Sequence, residues 1–184
     1  AETEALLKRM QRPLLEAADI PPERVRLFLI QDDTLNAFVA GGENIFIHTG
    51  LLRQATTPGA LLGVLAHETG HILGAHLIRG QEAMGNLKLG ALLSAVLGGA
   101  AMAAGAGSAG AAVIAAGQHV AGQSALSHTR ANEQAADQAA LNLLDETGVH
   151  AAPFLELLEQ MRASEHGRPG MDNPYTRTHP LTVD

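Results

Sequence analysis

At 184 residues the chain is long enough to bury one sizeable core, so a single domain over 1–184 is expected. A net charge of −7 leaves no broad basic face, which argues against a nucleic-acid partner and against a polybasic anchor for anionic lipid. The absence of cysteine excludes disulfides and thiolate ligands, and with aromatics at 3% the core must be built from Leu, Ala, Ile and Val.

The chain opens Ala1-Glu-Thr-Glu without a basic and then apolar leader, as a mature end or a cut boundary would. Glu2 to Ala18 reads as a helix with Leu6, Leu7, Met10, Leu14 and Leu15 on its apolar stripe, ended by Pro21-Pro22. Arg24 to Gln31 alternates as a strand, and Asp32-Asp33 makes a turn. Leu35 to Val39 and Asn44 to His48 read as two further strands, joined through Gly41-Gly42. From Leu51 onward the pattern is helix and loop. These elements predict an α+β fold, mainly helical, with a small antiparallel or mixed three-stranded sheet flanking the helical part.

The next helix carries the most specific signal. Thr57-Pro58 supplies an N-cap and a first helical residue. The apolar run that follows contains His67-Glu68-Thr69-Gly70-His71, an H-E-x-x-H motif. At about 100° per residue, His67 and His71 lie about 40° apart on one face, so both imidazoles can bind one zinc ion. Glu68 can take a proton from water at that ion. A catalytic zinc needs a third protein ligand. Gly74 fits the metzincin pattern, but the position where that pattern wants His is Leu77, and His76 is turned about 140° from His71. The gluzincin pattern instead draws a Glu from a later helix. Glu133 and Asp137 lie four apart in the helical stretch from about Gln123 to Glu146, so Glu133 would ligate and Asp137 would fix the tautomer of a ligand imidazole.

These residues resemble the gluzincin metallopeptidases that include the CAAX prenyl proteases and the HtpX-like enzymes, with the closest likeness to the soluble periplasmic BepA-like branch. The segment from Asn36 to Leu52 is similar to that family's strand pair and following short helix. Val64–His71 is similar to its zinc helix, Arg130–Asp137 to its third-ligand helix, and Thr178-His179-Pro180 to a C-terminal segment with a His near the metal. The resemblance implies a zincin-like protease domain with one Zn2+ per chain and zinc hydrolysis of peptide bonds in protein substrates. It implies cell-envelope quality control in the bacterial periplasm or at a membrane-associated envelope site. It implies that Asn36, Ala37 and Phe38 line the substrate cleft. It also implies a partner-binding region C-terminal to this chain. His179 has two readings, as a donor to the oxyanion or as an occupant of the open zinc position that holds the enzyme off. A chaperone-like binding module with a latent zinc site and a membrane-embedded protease are the alternatives.

Residues Leu89 to Gly117 carry no charge and are long enough to span a bilayer. They are mostly Ala and Gly, with a break expected at 105–110, and Leu, Ile and Val, which drive insertion, are sparse. A helical hairpin that covers the site as a lid or touches a membrane surface is expected in preference to a span. The other histidines, His48, His76, His119, His128, His150 and His166, have no metal-ligand spacing and read as surface or packing residues.

Overall fold

The computed structural model describes residues 2–74, 94–99, 101–103, 105–167, 175 and 179, and within these all side chains but those of 117–129 and 162–167. The chain divides into two compact units, Ala1–Leu77 with Asn132–Asp184, and Ile78–Ala131.

The first unit begins with α1 (Glu2–Ala17). Its buried positions are Leu7, Gln11, Leu14 and Leu15, an i, i+4, i+7, i+8 stripe. The expected stripe is therefore corrected at one edge. Leu6 is 47% exposed, and the polar Gln11 takes a place in the core. The strands are β1 (Arg26–Ile30), β2 (Ala37–Ala40) and β3 (Asn44–His48). They form one mixed sheet in the order β1-β3-β2, with β1 parallel and β2 antiparallel to β3. β1 and β2 are each shorter than the sequence pattern suggested, because only residues in register with β3 pair. Gly41 and Gly42 both have positive φ, as the tight β2–β3 turn requires.

Alternation along the strands sorts the two sheet faces. Leu27, Ile45, Ile47 and Ala37 point inward and join the core with Leu7, Leu14 and Leu15 of α1. On the other face Phe28, Phe46 and Phe38 stack in register across all three strands, with ring centroids 5.1 and 5.2 Å apart.

Two helices follow, α2 (Thr49–Gln54) and α3 (Pro58–Leu73). Thr57 caps α3 as expected. Its hydroxyl accepts a hydrogen bond from the Ala60 amide at 3.2 Å, and Pro58 opens the first turn. From Ala60 to His71 most of α3 is buried, which is why its run is apolar nearly all round. The long helix α4 (Gly107–Glu146) contributes its residues from Asn132 onward to this unit. After it, α5 (Ala152–Gly167) packs Phe154 against α3 at Gly63, where a side chain would overlap the ring.

In the second unit, residues 94–99 and 101–103 are helical, and the backbone of Gly98 meets that of Gly110 on α4. Of the segment in which a hairpin is expected, 89–93, 100 and 104 lie outside the described residues. The break is narrower than expected. It falls at 105–106, and helix resumes at Gly107 and continues without interruption to Glu146. Among the described residues no helix is long and apolar enough to cross a membrane.

The cap makes a local prediction. Thr57→Ala is expected to lower the unfolding free energy by about 1 kcal/mol, measured by urea denaturation, with no loss of bound metal.

Candidate metal centre

α3 presents His67 and His71 from one face, one turn apart, as its periodicity dictates. α4 presents Glu133 and Asp137 in the same way. For the two sets to meet, the helices must come into backbone contact, and Gly70 permits this. A Cβ on Gly70 would lie 2.7 Å from the carbonyl oxygen of Ala136 and 3.0 Å from its Cα. The variable position of the motif just before His71 is therefore filled by the one residue that allows the approach.

His179 completes the cluster from the C-terminal segment. The buried donor atoms of His67, His71, Glu133 and His179 converge within 4.8 Å of one another. His67 Nε2 is 3.0 Å from His71 Nε2 and 3.2 Å from His179 Nδ1, and His71 Nε2 is 3.2 Å from His179 Nδ1. Glu133 Oε2 lies 3.0 Å from His179 Nδ1 and 3.4 Å from His67 Nε2, and Oε1 lies 3.5 Å from His71 Nε2. Ligands about 2.0–2.1 Å from a tetrahedral ion stand about 3.3 Å apart, so these separations fit a single zinc-sized cation. The donor set of imidazole and carboxylate fits the same ion.

The surroundings hold the donors in place. Asp137 Oδ1 lies 2.8 Å from His67 Nδ1, which leaves Nε2 of that ring to face the cluster. The other nitrogen of His179, Nε2, is 3.1 Å from the carbonyl oxygen of Ala37 on β2. Glu68 is wholly buried, and neither of its carboxylate oxygens has a hydrogen-bond partner among the described residues. His179 Nε2 lies 3.5 Å from its Oε1.

Charge explains what such a cluster wants. Burial disfavours a charged His67 ring, but hydrogen bonds to Asp137 and Glu133 and the nearby Glu68 charge outweigh it and push its pKa up to about 10. Burial would likewise raise Glu133, yet hydrogen bonds from His179, His67 and His71 hold its carboxyl far below the usual range. The carboxylates thus create a negative potential that calls for positive charge. Protons and a divalent cation compete for the same ring nitrogens.

The whole chain, residues 1–184, matches Peptidase family M48. This chain belongs to peptidase family M48. Among curated relatives, the beta-barrel assembly-enhancing protease of Escherichia coli K12 is 36% identical over 170 residues, covering 84% of this chain and 31% of that protein. The putative beta-barrel assembly-enhancing protease of Vibrio cholerae is 31% identical over 157 residues, covering 85% of this chain and 32% of its own length. The mitochondrial metalloendopeptidase OMA1 of Schizosaccharomyces pombe is 31% identical over 74 residues, 40% of this chain and 22% of that protein. The chain therefore spans about a third of the length of the bacterial relatives it matches.

Within this M48 chain the expected site residues are not all brought together. His67, His71 and Glu133 meet, Glu68 lies beside them and Asp137 touches His67. Ala37 contributes its carbonyl, and Asn36 is buried. Phe38 is different. Its ring stacks on Phe46 on the outer sheet face, because adjacent strand residues point to opposite sides. His48 is a packing residue, its Nδ1 2.9 Å from Thr34 Oγ1, and His150 is exposed. His76, Thr178 and Pro180 lie outside the described residues, as do the side chains of His119, His128 and His166.

Tyr175 was not singled out by sequence. It is fully buried, its ring lies 4.6 Å from that of His179, and its carbonyl accepts a 2.7 Å hydrogen bond from the His179 amide. Burial raises its phenol pKa well above the ordinary value, so it stays neutral. Being the only tyrosine in a chain poor in aromatics, four residues before His179, was the available signal.

Gly70→Ala tests the helix contact. It is expected to cost about 1–3 kcal/mol of stability and to weaken metal binding at the cluster, read by thermal melting and by titration with a divalent cation.

Proposed function

We propose that this chain is a zinc-dependent metalloendopeptidase domain that hydrolyses peptide bonds in protein substrates during cell-envelope quality control in the bacterial periplasm. The observation that carries the reading is the meeting of His67, His71 and Glu133 beside a buried Glu68 whose carboxylate has no hydrogen-bond partner among the described residues. The relatives named beta-barrel assembly-enhancing proteases support the envelope setting.

His67, His71 and Glu133 would hold the metal, and Asp137 would keep the His67 ring oriented. A zinc ion there supplies Lewis acidity, which polarises the scissile carbonyl and acidifies water. Glu68 takes the proton from the attacking water and passes it to the leaving amine. β2 is an edge strand, so an extended peptide can pair with its outward carbonyl and amide groups.

His179 acts as a closure in this reading. Its Nδ1 sits among the ligands and its Nε2 holds the Ala37 carbonyl, so one side chain blocks both the fourth metal position and a main-chain group on the substrate edge. A peptide entering along β2 would have to displace it. The same contact is the one observation that favours a second reading, a chaperone-like module whose zinc site stays latent.

Cleavage of a quenched unfolded-protein substrate by the zinc-loaded chain tests the proposal. Glu68→Gln is expected to retain zinc and lose at least about 10²-fold in kcat. Absence of cleavage by the parent chain and by His179→Ala alike, at full zinc occupancy, would defeat the enzymatic reading.

His179→Ala is expected to raise cleavage several-fold under the same conditions while zinc stays bound through the other three ligands. A large fall would instead return His179 to the oxyanion role.

A further inference from the structure

The chain has 12 Lys and Arg against 19 Asp and Glu, so composition does not predict a place where cations gather without matching acids. One exists where α1 meets β1. Lys8, Arg9 and Arg12 on α1 and Arg26 at the start of β1 line a groove of about 470 Å³. Lys8 and Arg9 have no ion-pair partner among the described residues. Arg12 pairs with Glu16 at 2.8 Å, but both side chains are exposed and such a pair exchanges readily with other anions. Arg26 is held ready. Its Nε donates to Asn44 Oδ1 at 3.0 Å, and its guanidinium lies 5.8 Å from the centre of the Phe28 ring. Among the described residues, Glu23 is the one acid that lines the groove, with Glu16 beside Arg12 at its rim.

A second, independent feature is Gln11, which also lines the groove. The residue is 2% exposed, and its Nε2 is buried with no hydrogen-bond partner among the described residues. A buried amide donor left unpaired costs stability, so a ligand oxygen that takes it is favoured. A modest rotation of the Gln11 side chain would bring this donor to a ligand between α1 and β1.

We infer that this groove binds an acidic peptide segment, its carboxylates taken by Arg9, Arg12 and Arg26 and one of its oxygens by the Gln11 amide. Planar guanidinium forks match carboxylate geometry, and three of the four cations are arginines. The groove is larger than one small anion needs, and Leu15 and Val25 give it apolar walls that suit intervening side chains. A flat bilayer would meet the rim cations but not the donor beneath them. A nucleic acid would meet the overall charge of −7 and find no ring in the groove on which to stack a base. β1 is the sheet edge opposite β2, two strand spacings or about 10 Å away, so a segment held here does not compete with a peptide on β2.

The test is fluorescence anisotropy with a labelled, end-blocked peptide of alternating glutamate and leucine, using the Glu68→Gln chain so that nothing is cleaved. Inorganic phosphate and phosphatidylcholine vesicles containing phosphatidylglycerol are run as separate ligands. Saturable peptide binding is expected, weakening about tenfold between about 50 and 300 mM salt. Arg9→Glu should weaken it at least about tenfold, whereas Arg53→Glu, the same charge change on α2 outside the groove, should change it less than about twofold. Gln11→Met should raise the melting temperature of the free protein and weaken peptide binding several-fold. No saturable peptide binding, equal losses in Arg9→Glu and Arg53→Glu, or capture of vesicles or phosphate without the peptide would each overturn the inference. So would a Gln11→Met protein that melts lower and binds the peptide unchanged.

Discussion

A carboxylate can reach two imidazoles on a neighbouring helix only if the two backbones nearly touch, and in this chain that contact falls between Gly70 and Ala136. Each helix presents its own pair of groups by periodicity alone, His67 with His71 and Glu133 with Asp137. The contact turns two local patterns into one cluster. Small side chains recur around this junction: Ala136 and Ala139 both face Gly70. Larger residues there would add apolar area and lose the site.

The division between what was legible in the sequence and what was not follows the same line. The α3 cap, the motif helix and the Glu133–Asp137 spacing are local features, and residues a few positions apart specify them. The mixed sheet in the order β1-β3-β2 is not local. Strand patterns for Arg24–Gln31 and Leu35–Val39 show alternation, but only pairing to β3 decides where each strand stops. Gln11 shows the limit of an apolar stripe. Its position falls on the buried face and its side chain is polar, so a count of leucines placed Leu6 there instead. Phe38 shows another limit, since neighbours on a strand face opposite ways and a motif segment cannot line a cleft with all its side chains. For His179 the residue was visible, but its part in the cluster depends on a closure with His67 that spans 112 residues.

The electrostatics of the cluster and of the α1–β1 groove are mirror images. At the cluster, buried carboxylates outweigh the groups around them and create a demand for a cation. In the groove, cations outnumber acids and sit above an amide donor that has no acceptor among the described residues. Both arise in a chain of net charge −7, and both depend on where the fold places the charges and not on how many there are.

The span from His67 to His179 has a mechanical consequence. A bound ion would join α3, α4 and the C-terminal segment at one point, and so would act as a staple across most of the chain. Closing long loops in this way removes freedom from the unfolded chain, by an amount that grows only slowly with loop length. α3 and α4 are already fixed to each other by the Gly70–Ala136 contact, so the arm that the ion would add is the one to His179. Among the described residues, His179 and the Tyr175 packed on it form the third arm of that staple, 112 residues from His67 in sequence and beside it in space.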